Sequence, residues 1–416
     1  MPGLNPTTGA AFLKRYYSPT FISNAIDKEG SKLFAMVPKD TNGSGDSYNF
    51  FADVDGGIAS GSADFPTAQT TAANNTATIG SQFKVDWVED HEVVQIDGKF
   101  LAQTRNNTGA WTTALKYAMD NAIRYAAHRK SIAFVTKGWG ELAQATGISS
   151  ATFKCVDSAN IYRFMKGMPL VGSSSLNAAT LRSGTPINVT KVDYSNNVVT
   201  CDTALATPGI TTNDWVFTSG DRQNSATPAR VRPAGFPAWI PDQTGGVTDA
   251  TISTLYGVDR STNTRLYGNW IDGTAQSLQD ASIQACQTAS SIGNATDMVL
   301  AYSPANFSTL SKAMGSDKRY VDLKGNGNVG FKTIAVYADG VEAAVISDKY
   351  MSSHEAYLMD RKAFVHASIG PAPHIDSDDG NTILRISNSN GVEGRIVSYE
   401  CIACKNPAAN CFISLP

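Results

Sequence analysis

The chain has 416 residues, 42% of them hydrophobic and 17% charged, with a formal net charge of -3. Charge this sparse and this balanced excludes a charged disordered tail and a basic nucleic-acid binder acting through its whole surface. The length suggests two to three domains with a sizeable core, and a surface so poor in charge is expected to be covered by neighbours.

No run of about 18 apolar residues occurs, so no membrane-spanning helix is expected. Met1 to Ala11 lacks a basic stretch followed by an apolar one, so no secretory signal is expected. The six cysteines, Cys155, Cys201, Cys286, Cys401, Cys404 and Cys411, are spread out and predict free thiols rather than a disulfide framework.

Residues 1 to 45 read as an arm with a short helix over Phe21 to Met36, ended by Pro38. Asp46 to Asp53 is strand-like, with Tyr48, Phe50 and Phe51. Asp55 to Gly80 is Gly, Ala, Ser, Thr and Asn with almost no charge. From Gln82 to Val94 strand alternation returns, Phe83, Val85 and Trp87 against Lys84 and Asp86. This predicts two strands joined by an extended, weakly patterned tip. A lone two-stranded ribbon is marginal in water, and such a tip buries too little to offset its ordering entropy, so a neighbouring subunit is a candidate to hold it.

Trp111 to about Thr136 is the strongest helix, with Trp111, Leu115, Ala118, Met119, Ala122 and Ala126 on one face. Lys116, Arg124, Arg129, Lys130 and Lys137 make it locally basic. The plain reading of that charge is a solvated face, and the functional one is nonspecific contact with packed phosphates. From about 155 to 222 the pattern is all-β, a small barrel-like insertion. An Asn196-Asn197 turn there suits a hairpin that needs positive φ. Pro228, Pro233, Pro237 and Pro241 mark the way out. The remainder is mixed α/β. A helix is expected over Gly273 to Ser290, a strand over Met298 to Tyr302, and a helix started by Ser303-Pro304. Strands are expected at Lys332 to Tyr337, Val341 to Ser347, Ala356 to Met359, Thr382 to Ile386 and Gly394 to Cys404.

The chemical motifs are weak. Gly325-Asn326-Gly327-Asn328-Val329-Gly330 fits a dinucleotide fingerprint, but Phe331 to Tyr337 reads as a strand where a helix is required, so it is a plain glycine loop. Cys401 and Cys404 form a C-x-x-C inside a β pattern, with Cys411 as a third thiol and no histidine near, and are expected to be buried free cysteines. His354, His366 and His374 lie close in sequence without metal-ligand spacing. Asp376-Ser377-Asp378-Asp379-Gly380 is half a calcium loop with no closing glutamate. No catalytic residue, metal or cofactor is expected.

The order of these elements is more specific than any motif. Arm, ribbon, long basic helix, mixed α/β region and β-rich end resemble the major capsid proteins of tailed bacteriophages, the Hong Kong 97 type. Supporting stretches are Gly235-Phe236-Pro237-Ala238-Trp239, Tyr256-Gly257-Val258-Asp259-Arg260-Ser261, Ser303-Pro304, Val345-Ile346-Ser347-Asp348-Lys349-Tyr350, Ala356-Tyr357-Leu358-Met359-Asp360, and the run from Thr382 to Asn406-Pro407-Ala408-Ala409. The resemblance implies an α+β fold with an N-terminal arm (1–45) and an extended loop (46–105). It implies a peripheral domain (106–154 and 376–416), a β-rich insertion (155–240) and an axial domain (241–375). It implies an icosahedral shell of pentamers and hexamers enclosing double-stranded DNA in the virion, assembled in the host bacterial cytoplasm. Partners would be a separate scaffolding protein, a portal and, optionally, decoration proteins.

On this resemblance Phe50, Phe51, Phe65, Phe83 and Trp87 would serve the intersubunit loop. Lys116, Arg124, Arg129 and Lys130 would line the inner, DNA-facing helix. The lysine–asparagine cross-link of some members is not expected, since Lys84, Lys99, Asn388, Asn390 and Glu393 make no specific match. Two other readings are a nanocompartment shell of the same fold and a soluble metal-dependent enzyme using the stretch from 354 to 374.

Overall fold

The computed structural model describes residues 30–55, 64–74, 79–97, 99, 108–176, 180–182, 185–222, 231–243, 253–261, 264–313, 334–338, 340–376, 384–386 and 390–416. The arm before residue 30, the glycine loop at 325–330 and most of the acidic turn at 376–380 lie outside them.

Among the described residues the chain forms two six-stranded sheets, a closed barrel, a two-stranded ribbon and a small pair of Thr254–Leu255 with Val258–Asp259. The first sheet is built on the long strand Val392–Cys404. It pairs along its length with Val88–Ile96 and Phe364–Ser368, and with the short strands His374–Ile375 and Leu384–Arg385. Lys39–Asp40 adds in parallel to Phe364–Ser368. The second sheet runs Asn269–Asp272, Cys411–Ser414, Glu355–Asp360, Met298–Tyr302, Val341–Ser347, Ile334–Ala338. Met298–Tyr302 is buried along its whole length, as a central strand covered on both faces must be. The last strand therefore does not stay with the sheet of Val392–Cys404, as the expected peripheral assignment of 376–416 had it. A short turn at Pro407–Ala409 carries the chain across, and Asn410 fixes the crossing by accepting from the Asp360 amide at 2.9 Å.

The helix Leu278–Gly293 covers the second sheet with small residues. Ala281, Ser282, Ala285, Cys286, Ala289 and Gly293 are its buried face. Ser277 caps its start, and Asn294 in the left-handed region ends it. Ser303 begins the next helix, Pro304–Ala313, and accepts from the Asn306 amide at 3.4 Å.

The barrel closes in the order Trp215–Thr218, Glu141–Ser149, Thr152–Cys155, Val198–Cys201, Ile187–Asp193, Pro169–Ser173. Closure removes the free edges that a small sheet would expose. Its strands alternate: Ile187 and Val189 are buried while Asn188 and Thr190 face out. The hairpin turn has Asn197 at φ +53°, as the Asn-Asn pair predicted. The boundary differs from expectation, because the barrel begins at Glu141 rather than 155. Glu141–Ser149 follows the long helix Thr108–Phe134 so closely that sequence grouped them, yet its partners are barrel strands.

A short buried segment ties these parts together. Gly235 lies under the carbonyls that end the long helix, and a Cβ there would sit 2.2 to 2.5 Å from the oxygens of Ala133, Phe134 and Thr136. Phe236 stacks on Tyr357 of the second sheet at 4.5 Å and on Phe364 of the first at 5.3 Å. Trp239 is fully buried, packs on Phe83 of the ribbon at 5.3 Å, and donates to the Ile402 carbonyl at 3.1 Å. Arg260, also fully buried, donates to the Trp239 and Ala238 carbonyls at 2.8 and 2.9 Å and covers Tyr267.

All six cysteines are free and buried. Burial pushes the Cys155 and Cys401 thiols up to about 12, and those of Cys404 and Cys411 higher still, so none is a nucleophile at neutral pH. The C-x-x-C pair is therefore packing.

Two outcomes follow from this packing. Trp239→Ala lowers unfolding free energy by about 3–5 kcal/mol, read by urea denaturation, and a loss under about 1 kcal/mol would mean the segment does not anchor the ribbon. A chromogenic disulfide reagent at pH 8 finds all six thiols only after denaturation, and prompt labelling of the native chain would contradict their burial.

Candidate intersubunit surfaces

The ribbon pairs Ser47–Asp55 with Ile79–Asp86 in antiparallel register, from Ser47 opposite Asp86 to Asp55 opposite Ile79, with one irregularity near the tip. Period two gives it two unlike faces. On one face Phe50 stacks on Phe83 at 5.2 Å, and both lie against Trp239. Val85 continues that buried row. The other face carries Lys84, paired with Asp46 at 2.8 Å, and Phe51, which is 78% exposed.

The part of the tip that is described, 64–74, is not extended as expected. Phe65–Asn74 is a helix, started by Asp64, whose carboxylate accepts from the Thr67 amide at 2.9 Å and from its hydroxyl at 2.6 Å. Alanine and threonine runs without strand alternation leave the helix as the form that satisfies backbone groups locally. Phe65 is 86% exposed at its start.

The expected single strand from 82 to 94 is two. Trp87 breaks it: its indole N–H donates to the Gly45 carbonyl at 3.1 Å, and its ring lies against Gly43. Beyond it Val88–Ile96 joins the first sheet rather than the ribbon.

The predicted loop aromatics thus divide. Phe83 is fully buried inside its own chain, so the expectation that it serves a neighbour is corrected; Phe50 is half-buried beside it, and the two anchor the ribbon's base. Trp87 is half-buried as the joint. Phe51 and Phe65 remain open to solvent.

The helix residues need a similar correction. The side chain of Lys116 lies outside the described residues, and Arg124 is half-buried. Lys130 is 6% exposed and pairs with Glu400 at 2.9 Å; Glu400 also accepts from His366 at 2.8 Å. Those partners hold the Glu400 carboxyl below its usual range despite burial. Arg129 is claimed by Asp90, Glu92 and Asp221. Two of the four cations expected to face phosphate are therefore spent within the subunit. A helical plot shows that the residues share a helix but not that carboxylates from a strand and a barrel exit cover them.

The histidines near 354–374 do not form one site. His354 contacts the Pro416 carbonyl, His366 contacts Glu400 and His374 the Pro371 carbonyl. Among the described residues no three His, Cys, Asp or Glu side chains are placed to hold a metal ion, and no helix is long and apolar enough to cross a membrane.

No protein-family model matches the sequence, and no curated protein does. Solved structures do match the fold. A chain of the cyanophage A-1(L) capsid asymmetric unit is 10% identical, with 99% of each chain covered and a TM-score of 0.55. A chain from the capsid of the native GTA particle is 9% identical, with 98% of this chain and 96% of that one covered and a TM-score of 0.50. These agree with the resemblance drawn from the order of elements: the chain has the α+β fold of phage capsid subunits over nearly its whole length.

Proposed function

We propose that this chain is the major capsid protein of a tailed phage, of the Hong Kong 97 type, and that copies of it close into the icosahedral shell around packaged double-stranded DNA. The observation that carries this is likeness to a phage capsid chain over 99% of both lengths, joined to a ribbon that displays Phe51 and Phe65 to water. Large exposed aromatics on a projecting element are costly alone and mark an association surface.

On this reading the ribbon is held at its base by Phe50, Phe83 and Trp239, and its outer face and tip lie on a neighbouring subunit. Pentamers and hexamers share that contact, and closed symmetry leaves no edge to grow from. The first sheet with the long helix forms the peripheral part, the second sheet the axial part, and the barrel is an addition to the minimal fold. DNA contact on the inner face is nonspecific and rests on cations other than Arg129 and Lys130. A scaffolding protein and a portal complete assembly in the bacterial cytoplasm. The reading assigns the chain no catalysis.

The double variant Phe51→Asp, Phe65→Asp tests it. Both side chains are exposed, so the subunit keeps its circular dichroism spectrum and melting midpoint. Co-expressed with its scaffold, the wild-type chain gives uniform closed shells by negative-stain electron microscopy, while the variant gives capsomers or irregular pieces. Wild-type-like shells from the variant would remove the ribbon from assembly, and a wild-type chain that never assembles would remove the capsid reading.

A further inference from the structure

Residues 30–43 run as a strap across the long helix, the second sheet and the first sheet. The Ser31 amide donates to the Ser131 hydroxyl of the long helix at 2.9 Å, and a Cβ on Gly30 would lie 2.6 Å from that same oxygen. Just past the strand Val341–Ser347 of the second sheet, Asp348 is 1% exposed. One of its carboxylate oxygens accepts from the Ser31 hydroxyl and from the Leu33 amide at 3.1 Å, and the other accepts from the Tyr350 amide at 3.0 Å. The Phe34 ring lies on Phe134 of the long helix at 5.2 Å and on His366 of the first sheet at 5.0 Å. From Pro38 onward the strap follows the first sheet. The Pro38 carbonyl accepts from the His366 amide at 2.9 Å, Lys39–Asp40 pairs in parallel with Phe364–Ser368, and the Gly43 amide donates to the Ser368 carbonyl at 3.0 Å.

The strap therefore has two seats of unlike character. The second, 38–43, is main-chain pairing to a strand that is itself paired with Val392–Cys404, and lifting it would leave ladder groups unpaired. The first, 31–37, hangs on fewer groups. Of its hydrophobic side chains only Leu33 and Val37 are buried, while Lys32 and Ala35 face solvent. Its helix, Lys32–Ala35, has four residues and is far too short to persist without outside contacts. The groups that hold it lose little by letting go. Ser131 keeps its own bond to the Ala127 carbonyl at 2.8 Å. The Asp348 oxygen, once uncovered, meets water in place of Ser31 and Leu33, which returns most of the strength of those bonds.

We propose that 31–37 is a releasable strap, which opens as a unit while its second seat and the rest of the fold stay closed, and that Asp348 is the positioning residue that holds it shut. Closed, it ties the long helix to both sheets. Open, it uncovers Ser131, Phe134 and the Asp348 carboxylate together, and leaves those bodies joined through Gly235 to Ile240. Local openings of this kind arise where buried contacts are few. Ser31 is the pivot because its hydroxyl acts twice. It donates to Asp348 and accepts from the Phe34 amide at 3.0 Å, so one oxygen both anchors the strap and caps its helix. The release rests on packing within one chain and does not depend on the shell reading.

The test uses the full chain and Ser31→Ala. Amide hydrogen exchange is followed by mass spectrometry at neutral pH on peptides covering 31–37, the core strand 298–302, and 364–368, where the His366 amide reports the second seat. In the wild type 31–37 exchanges faster than the other two, by about tenfold or more after scaling to intrinsic rates. Ser31→Ala speeds 31–37 by about a further tenfold, the loss of one hydrogen bond to a charged group, and leaves 298–302 and 364–368 as they were. Exchange of 31–37 in step with 298–302 overturns the release, and so does a variant that leaves 31–37 unchanged or speeds all three alike. If Ser31→Ala does not fold, trypsin on the wild-type chain decides. The Lys32 side chain is exposed, but cleavage after it needs the strap open. Cleavage there in urea too dilute to unfold the chain supports the proposal, and cleavage only through the unfolding transition ends it.

Discussion

A single buried segment, Gly235 to Ile240, constrains the whole molecule. It has no room for error at its start, where only glycine fits beneath the carbonyls of Ala133, Phe134 and Thr136. Its two aromatic side chains then point to different bodies: Phe236 to the strands of both sheets, Trp239 to the ribbon and the first sheet. Arg260 closes it by satisfying two carbonyls that the short helix Phe236–Trp239 leaves open. A fully buried guanidinium over a tyrosine ring is tolerated there because main-chain acceptors meet it directly. Sheets, helix and ribbon therefore share one core and cannot shift independently at this point.

The ribbon's two faces explain how such a chain can be both folded and unfinished. The inner row, Phe50, Phe83 and Val85, supplies enough apolar burial to fix the ribbon's direction. The outer row supplies none, and the tip helix is exposed at every described side chain. A free two-stranded element of this length would not hold its shape alone. Fixing the base and leaving the end bare sets where the ribbon points before it meets anything, which lowers the ordering cost of binding.

Much of this was legible in the sequence, for identifiable reasons. The Asn196-Asn197 turn, the Ser303-Pro304 start and the small-residue face of Leu278–Gly293 each rest on local chemistry, and local chemistry decided them. The tip helix is hard to read from sequence because Asp55 to Gly80 has no periodicity; its one local signal is Asp64 three residues before Thr67. The barrel's start was misplaced because Glu141–Ser149 reads as any strand, and only its partners assign it. The crossing of Cys411–Ser414 into the second sheet is nonlocal in the same way. The basic helix is the instructive case: charge at helical spacing is visible in sequence, but whether it faces water or buried carboxylates depends on Asp90, Asp221 and Glu400, from three other parts of the chain.

That use of charge bears on the low charge of the chain as a whole. Lys130, Arg232 and Arg260 are buried and Arg129 is half-buried, so each costs desolvation that apolar residues would avoid. Buried ionic groups of this kind rarely add net stability, but they are unforgiving of misplacement, since a partner lost leaves a charge stranded. They lie where separate bodies join: Arg129 and Arg232 between helix, strand and barrel exit, Lys130 between helix and first sheet, Arg260 under the central segment. Apolar surfaces would let such bodies slide past one another. Directional charge pairs fix one arrangement, and on the proposed shell reading such fixed angles between bodies matter more than extra stability. The cations withdrawn to those joints also leave the surface poorer in charge, which on the shell reading lowers repulsion between copies.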